Sequence, residues 1–528
     1  MLARNPVSAV QELELKFQLG SGAVDALRRS ALPPGTGDIV SLRATYFDTP
    51  DHRLRDGGFS LRVRREGARH VQTLKHRGAG GLFERDEWES EIEGPELDRA
   101  LLAGTPIADL AAHATLAPAF TIEVERLLQV REHGGARIEI SLDLGRILAA
   151  GREEPVAELE LERLDGDGAA LFDLARALQA QAPLTPLFES KAERGYRLAG
   201  HDGVAALKAR AAPLVADTPV GEAFQRVTRE ALVQIAGNAR LLPRSRSADV
   251  LHQLRVGLRR LRAGLVVFRG ILDADGLAFA RRESRWLAGE LAEARDLDVF
   301  MQLASAQDEI EESPGRVALF ATLRRAQAEA YDRALAAISS ERFRRLLLDL
   351  GAWIEIGGWR TASRTAALRD GPCDRFAGPV LDRLAAGVAR RARCFSKLDI
   401  EARHDLRKQV KKLRYGSAFF AATWPEHPRR KARYRLALKA LQDHLGAIND
   451  LSVAAGVANR MAPRGARDLA FAAGQEAGRL DRASQDARAT AHKALKAFRR
   501  NRPFWPSRKR RNRDLNHSAS RSLTSETP

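Results

Sequence analysis

The chain has 528 residues, 44% of them hydrophobic and 29% charged, a length beyond one ordinary core that calls for roughly two to four domains. Its net charge of +18 is uneven: residues 1–200 hold 25 Lys and Arg against 32 Asp and Glu, a net −7, so the rest carries +25. No apolar run reaches the length of about 18 residues that a membrane span needs, which excludes an integral helical membrane protein. Cys373 and Cys394 are too few for a disulfide framework, lack the spacing of a zinc site, and are expected to be buried free thiols. The opening "MLARNPVSAVQELELKF" has no apolar core of the kind a secretory signal requires, so the expected compartment is the cytoplasm. The positive surplus on the larger part favours phosphate-rich partners: nucleic acid, anionic lipid or polyphosphate.

In chain order, the first elements alternate: "ELELKFQL", "FSLRVRRE", "HVQTLKHR", "FERDEWESEIE", "FTIEVERLLQV", "ARIEISLDLG" and "PVAELELERL" read as antiparallel strands. Short helical pieces at 21–30 and 169–180 interrupt them, which makes this part α+β with one dominant sheet. From about residue 218 the apolar period becomes 3.6, as in "ESRWLAGELAEARDLDVFMQLASAQ", and the chain turns all-helical. The expected organisation is a first domain over 9–200, a connection over 201–217 rich in small residues and proline, a helical domain over 218–500, and a basic, then Ser/Thr-rich, disordered tail over 501–528.

Alternate residues of a strand share a face, so Glu12, Glu14 and Lys16 form one row opposite Leu13, Leu15 and Phe17. Arg62 and Arg64 form another row, as do Glu158, Glu160 and Glu162. If the sheet curls so that acidic and basic rows face each other, the enclosed charges repel and lose hydration unless ions fill the space. Carboxylates without clustered His or Cys suit Mg²⁺ or Mn²⁺, and Arg and Lys suit phosphate oxygens. That combination points to metal-assisted phosphoryl chemistry.

"ELELK" (12–16) resembles the ExExK signature of the CYTH, or triphosphate tunnel metalloenzyme, superfamily. "TYFDTP" (45–50), "LRVRR" (61–65), "TLK" (73–75), "EVER" (123–126), "SLD" (141–143), "ELELE" (158–162) and "SKAERGY" (190–196) resemble its further landmarks, in the family's order. The resemblance implies an eight-stranded antiparallel tunnel. It also implies metal binding by Glu12, Glu14, Asp143, Glu158 and Glu160, and a triphosphate grip by Lys16, Arg62, Arg64, Lys75, Arg126 and Lys191. Tyr46 and Lys75 would assist water activation; many relatives carry two tyrosines where this chain reads Tyr46-Phe47.

The helical part repeats itself. "HQLRVGLRRLR" (252–262) aligns without gaps to "HDLRKQVKKLR" (404–414), and "LAEARDLDV" (291–299) to "LGAINDLSV" (445–453), in nearly constant register. On a helix His252, Arg255, Arg259 and Arg262 make one stripe, and His404, Arg407, Lys411 and Arg414 repeat it. This pattern resembles the CHAD domain, which implies two pseudo-symmetric four-helix bundles whose basic cleft binds inorganic polyphosphate. A CYTH part joined to a CHAD part resembles the bacterial inorganic triphosphatases. The expected activity is therefore divalent-metal-dependent hydrolysis of tripolyphosphate, with a class IV-type adenylyl cyclase or a non-catalytic polyphosphate scaffold as alternatives. Nucleic acid is the less favoured partner, because aromatic residues do not interleave the basic stripes.

Overall fold

The structure is a computed structural model that describes residues 13–506 apart from 21, 31, 33–36, 77–85, 201–204, 210, 212–213, 306–312 and 462–466. Glu12, most of the expected connection's first residues and the tail beyond 506 lie outside the described residues. The chain forms two compact units. The first comprises residues 1–207 with 232–241 and 339–356; the second comprises 208–231, 242–338 and 357–528.

The first unit is α+β. Its elements run β1 (Leu13–Leu19), α1 (Ala23–Ser30), β2 (Asp38–Asp48), α2 (Arg53–Asp56), β3 (Phe59–Glu66), β4 (Arg69–His76), β5 (Asp86–Ile92), α3 (Ala108–His113), β6 (Ala117–His133), β7 (Ala136–Ala149), β8 (Arg152–Asp165), α4 (Gly168–Gln179), β9 (Leu184–Pro186) and α5 (Lys191–Ala199). All strands join one antiparallel sheet in the order β5-β4-β3-β2-β6-β7-β8-β1-β9. Two positive-φ glycines, Gly134 and Gly135, make the two-residue turn that lets the long β6 and β7 fold back on each other.

The eight-stranded closed tunnel expected from the sequence needs correcting. Among the described residues there are nine strands, with β5 and β9 as unjoined edges. The ninth, β9, has three residues and ends in Pro186, too short and too proline-marked to read as a strand, yet it pairs with Phe17–Leu19 of β1.

Alternation divides the sheet as the sequence suggests. Phe17, Leu159, Leu161, Ile138 and Ile140 are fully or almost fully buried under α1 and α4 in one core, and Leu61, Leu74 and Leu54 lie in a second core with α2 and α3. Leu348 and Ala352 also belong to the first of these cores. They come from α11 (Glu341–Ile356), a helix far along the chain, whose Asp349 accepts a hydrogen bond from Arg176 of α4 at 2.8 Å.

The remaining helices are α6 (Val220–Ser245), α7 (Ala248–Val267), α8 (Ala274–Glu290), α9 (Ala292–Ser305), α10 (Pro314–Ser339), α12 (Ala366–Arg369), α13 (Cys373–Arg391), α14 (Ile400–Phe419), α15 (Pro428–Arg460) and α16 (Arg467–Arg500). The repeat in the sequence is a repeat of elements. α7 corresponds to α14 and α10 to α16, while α8 and α9, parted at Leu291, correspond to the single helix α15. Side chains follow the same register. Asp298 accepts hydrogen bonds from Gln327 (2.8 Å) and the Tyr331 hydroxyl (3.0 Å), whereas its counterpart Ser452 meets Ser484, the counterpart of Tyr331, at 3.1 Å. Cys373 is buried and free as expected, but Cys394 is exposed, because it sits in a 3₁₀ segment at a non-helical kink. Among the described residues no helix is long and apolar enough to cross a membrane.

Candidate functional site

Strand register places the candidate residues of the sheet on one face. Lys16 lies opposite Glu160, Asp143 opposite both Arg126 and Glu158, Tyr46 opposite Arg62, and Ala44 opposite Arg64. Directly opposed residues point the same way, so one face carries the whole set. Helix α5 adds Lys191 and Arg194 one turn apart, held by a capping box in which Ser190 and Glu193 bond each other's backbone. Gly195 permits this docking: a Cβ there would lie 2.2 Å from the Phe120 ring. Phe120 in turn stacks on Tyr46 at 4.6 Å and meets Tyr196 edge-on at 4.9 Å.

At the acidic end, three carboxylates converge on one ammonium. Lys191 Nζ lies 2.8 Å from Asp143 Oδ2, 2.8 Å from Glu158 Oε2 and 2.7 Å from Glu160 Oε1. Lys16 Nζ bridges Glu14 (2.8 Å) and Glu160 (2.9 Å). Arg126 forks onto Asp143 with two bonds of 2.7 Å and reaches Glu160 Oε2 at 2.9 Å. Burial alone would raise Glu160, but Lys16, Lys191 and Arg126 outweigh it and hold the carboxyl well below its usual range. Burial likewise opposes the charge on Lys191, and Glu160, Glu158 and Asp143 hold its pKa well above the ordinary value. Among the described residues no three His, Cys, Asp or Glu side chains stand as a ready metal cluster. The oxygens that converge do so around the lysine's ammonium, an all-oxygen donor set that fits a hard divalent cation.

The basic wall lies on β3 and β4. The buried Nε atoms of Arg62 and Arg64 have no hydrogen-bond partner among the described residues, and Arg62 Nη1 approaches the Tyr46 hydroxyl at 3.5 Å. Burial pushes the Tyr46 phenol up, yet Arg62, Lys75 and Lys191 together bring it below its ordinary value. Sequence reasoning missed the acids facing this wall. Glu87 of β5 pairs with Lys75 at 2.8 Å, and Glu89 accepts from the Thr73 hydroxyl at 3.3 Å. The alternation in "DEWESEI" held that signal, since it puts Glu87, Glu89 and Glu91 on one side. Arg194 was also missed, and it meets Glu158 Oε1 directly.

In the second unit α7 packs against α14, bringing the two basic stripes together. Arg255, Arg259, Arg407 and Lys411 crowd one another; burial first, then these like charges, push Arg255 down to about 10 and Lys411 down to about 7. Burial and the nearby Arg295 and Arg259 push His252 down to about 4, and its buried Nδ1 has no partner among the described residues. His404 Nδ1 lies 3.0 Å from Asn449 Oδ1. The copies hold their central arginines differently. Arg255 donates to the Ala288 carbonyl (3.0 Å) in the last turn of α8, whereas Arg407, facing the uninterrupted α15, reaches Asp450 at 3.4 Å. Arg262 stands apart, beside Arg285 and Lys412, and Arg414 bonds Gln442 while lying 4.4 Å over the Tyr415 ring.

Comparison with known proteins follows the same division. Residues 10–196 match the CYTH domain and residues 226–459 the CHAD domain. An inorganic triphosphatase of Haemophilus influenzae is 34% identical over 196 residues, 36% of this chain, and the match spans 55% of that protein's length. An uncharacterized protein of Mycobacterium tuberculosis is 27% identical over 412 residues, covering 71% of this chain and 75% of its own. The crystal structure of the CHAD domain from the plant Ricinus communis is 31% identical and covers 56% of this chain and 97% of its own, with a TM-score of 0.47.

Proposed function

Because this chain is a CYTH domain followed by a CHAD domain, we propose that it is an inorganic triphosphatase that hydrolyses tripolyphosphate to pyrophosphate and phosphate with Mg²⁺ or Mn²⁺. The observation that carries this reading is the convergence of Asp143, Glu158 and Glu160 oxygens on one cationic point, on the same face as two half-buried arginines, Arg62 and Arg64, whose buried Nε atoms have no partner among the described residues. The first domain is taken as 9–200, the connection as 201–217, the helical domain as 218–500 in two pseudo-symmetric four-helix bundles, and the tail as 501–528, except that the first residues of that tail are ordered, with Phe504 and Trp505 buried and Trp505 Nε1 donating to Asp382 at 2.9 Å. The helical domain binds inorganic polyphosphate through His252, Arg255, Arg259, Arg262, His404, Arg407, Lys411 and Arg414. The protein works in the cytoplasm.

Glu14, Asp143, Glu158 and Glu160 would hold the divalent cation, with Glu12 beside them in sequence but outside the described residues. When bound, such a cation neutralises phosphate charge and lowers the pKa of a water. An ammonium and a divalent cation cannot share the same three oxygens, so with a cation held there Lys191 would be left to meet phosphate. Arg62 and Arg64 offer paired donors, and Lys16, Lys75 and Arg126 offer further positive charge along the phosphate chain. Tyr46, with its lowered phenol, and Lys75 orient the water for in-line attack, which forms one P–O bond as the bond to pyrophosphate breaks.

The test is a substrate panel of tripolyphosphate and ATP with Mg²⁺ and Mn²⁺, resolving phosphate from cyclic AMP. Tripolyphosphate should release phosphate, and Glu14→Gln should abolish most of that release. Unchanged turnover in Glu14→Gln removes the site from consideration, and cyclic AMP as the main product would make the protein a cyclase.

A further inference from the structure

Arg240 lies on α6, inside the stretch that matches the CHAD domain, yet it belongs to the first unit. Its guanidinium divides its donors among three elements. Nε donates to Gln18 of β1 at 3.1 Å, Nη1 meets Glu189 just ahead of α5, and Nη2 meets Glu154 of β8. Those elements also carry the acidic end of the site: Glu14 and Lys16 on β1, Glu158 and Glu160 on β8, Lys191 and Arg194 on α5. From Glu154 the contacts continue inward. Arg194 Nε donates to Glu154 Oε1 at 3.0 Å, and Arg194 Nη1 holds Glu158 Oε1. Arg194, Glu154 and Glu158 are 2%, 5% and 0% exposed, so water does not substitute freely for any of these bonds.

We propose that Arg240 is a positioning residue for Glu158: by holding Glu154 and Glu189 it keeps Arg194 aligned on the Glu158 carboxylate, and so sets how well the sheet face binds a divalent cation. This rests on the reading of Asp143, Glu158 and Glu160 as cation ligands. Charge balance supplies the reason. Arg194, Arg197 and Arg240 face Glu154, Glu158 and Glu189, and each cation serves more than one acid. Without Arg240, Glu154 and Glu189 lose a shared partner and draw Arg194 and Arg197 toward themselves. The hold on Glu158 then slackens, as happens when the outer partner of a metal ligand is removed. A lysine restores the charge but not the fork that reaches three acceptors at once.

The experiment titrates Mn²⁺ into the full-length chain and reads free Mn²⁺ by electron paramagnetic resonance, with circular dichroism as the check on folding. Arg240→Met should weaken Mn²⁺ binding about tenfold or more, and Arg240→Lys should recover part of the loss. Arg246→Met, which removes a half-exposed ion pair to Asp332 in the second unit, should match the wild type. Tripolyphosphate turnover in Arg240→Met should return at saturating Mn²⁺, a shift in metal requirement that a general loss of structure would not give. If Arg240→Met does not fold, Glu189→Gln takes its place, with an expected two- to threefold weakening. Unchanged Mn²⁺ affinity in the folded variant, or an equal loss in Arg246→Met, overturns the proposal. A wild-type chain that binds no Mn²⁺ overturns instead the cation reading on which it rests.

Discussion

On the sheet face Lys191, Arg126 and Lys16 each touch at least one carboxylate within 2.9 Å, and those partners raise the pKa of Lys191 and Arg126. On α7 and α14 the cations face mostly one another: Lys411 is pushed down to about 7 and Arg255 to about 10. The difference teaches how each surface would take phosphate. On the proposed reading a phosphate chain on the sheet would have to displace carboxylates, and lysines and arginines whose carboxylates held a divalent cation instead would be left free for it. An anion entering between α7 and α14 relieves repulsion directly, with no metal required.

The sharpest way to break this contrast is Glu160→Gln. Glu160 receives Lys16, Lys191 and Arg126 together, so metal-dependent phosphate release should fall about a hundredfold or more while polyphosphate binding stays unchanged. A parallel loss in both assays would show that the two surfaces are not independent. Next in size, Arg255→Ala combined with Arg407→Ala should weaken polyphosphate binding about tenfold or more at low salt and reduce the salt slope by about two, read by fluorescence anisotropy across a salt series. Phosphate release from tripolyphosphate should be unaffected.

Lys411 gives the comparison a pH axis. Above about 7 the free chain holds it mainly neutral, and an anion favours the ammonium, so binding takes up a proton. Polyphosphate affinity should therefore fall as pH rises from 7 to 9, by up to about tenfold per unit, and Lys411→Arg should flatten the profile. Arg255, at about 10, and His252, at about 4, titrate outside that window. The smallest effect separates the two helical copies. Tyr331→Phe removes a buried hydroxyl bond to Asp298 and should cost about 1 kcal/mol in denaturant unfolding, more than Ser484→Ala at the matching place in the second copy.

The strands and the charged rows were legible because a period of two places acids and leucines on opposite faces without reference to anything distant, as Glu14 and Leu15 illustrate. The helical duplication was legible for a similar reason, since its register survives in "HQLRVGLRRLR" and "HDLRKQVKKLR". What could not be read was side-chain choice among acids and bases on one face. Lys16 and Lys191 were expected to point at phosphate, and here both are engaged by Glu160. Arg194, Glu154 and Arg240 escaped notice because their network joins β8, α5 and α6, segments that only the folded chain brings together. The assignment of 232–241 and 339–356 to the first unit was hidden likewise, since nothing in "ERFRRLLLDLGAWIEI" says which core its leucines enter.

The open sheet has a consequence for life at high concentration. Unpaired strand edges recruit other chains and seed aggregates unless they are short, charged or marked by proline. Among the described residues β9 is three residues ending in Pro186, and β5 at the other margin carries Glu87, Glu89 and Glu91. A second copy approaching β5 would meet its own acids, and one approaching β9 would find too little backbone to zip onto. The acids that face the basic wall therefore also work against edge-to-edge pairing at β5.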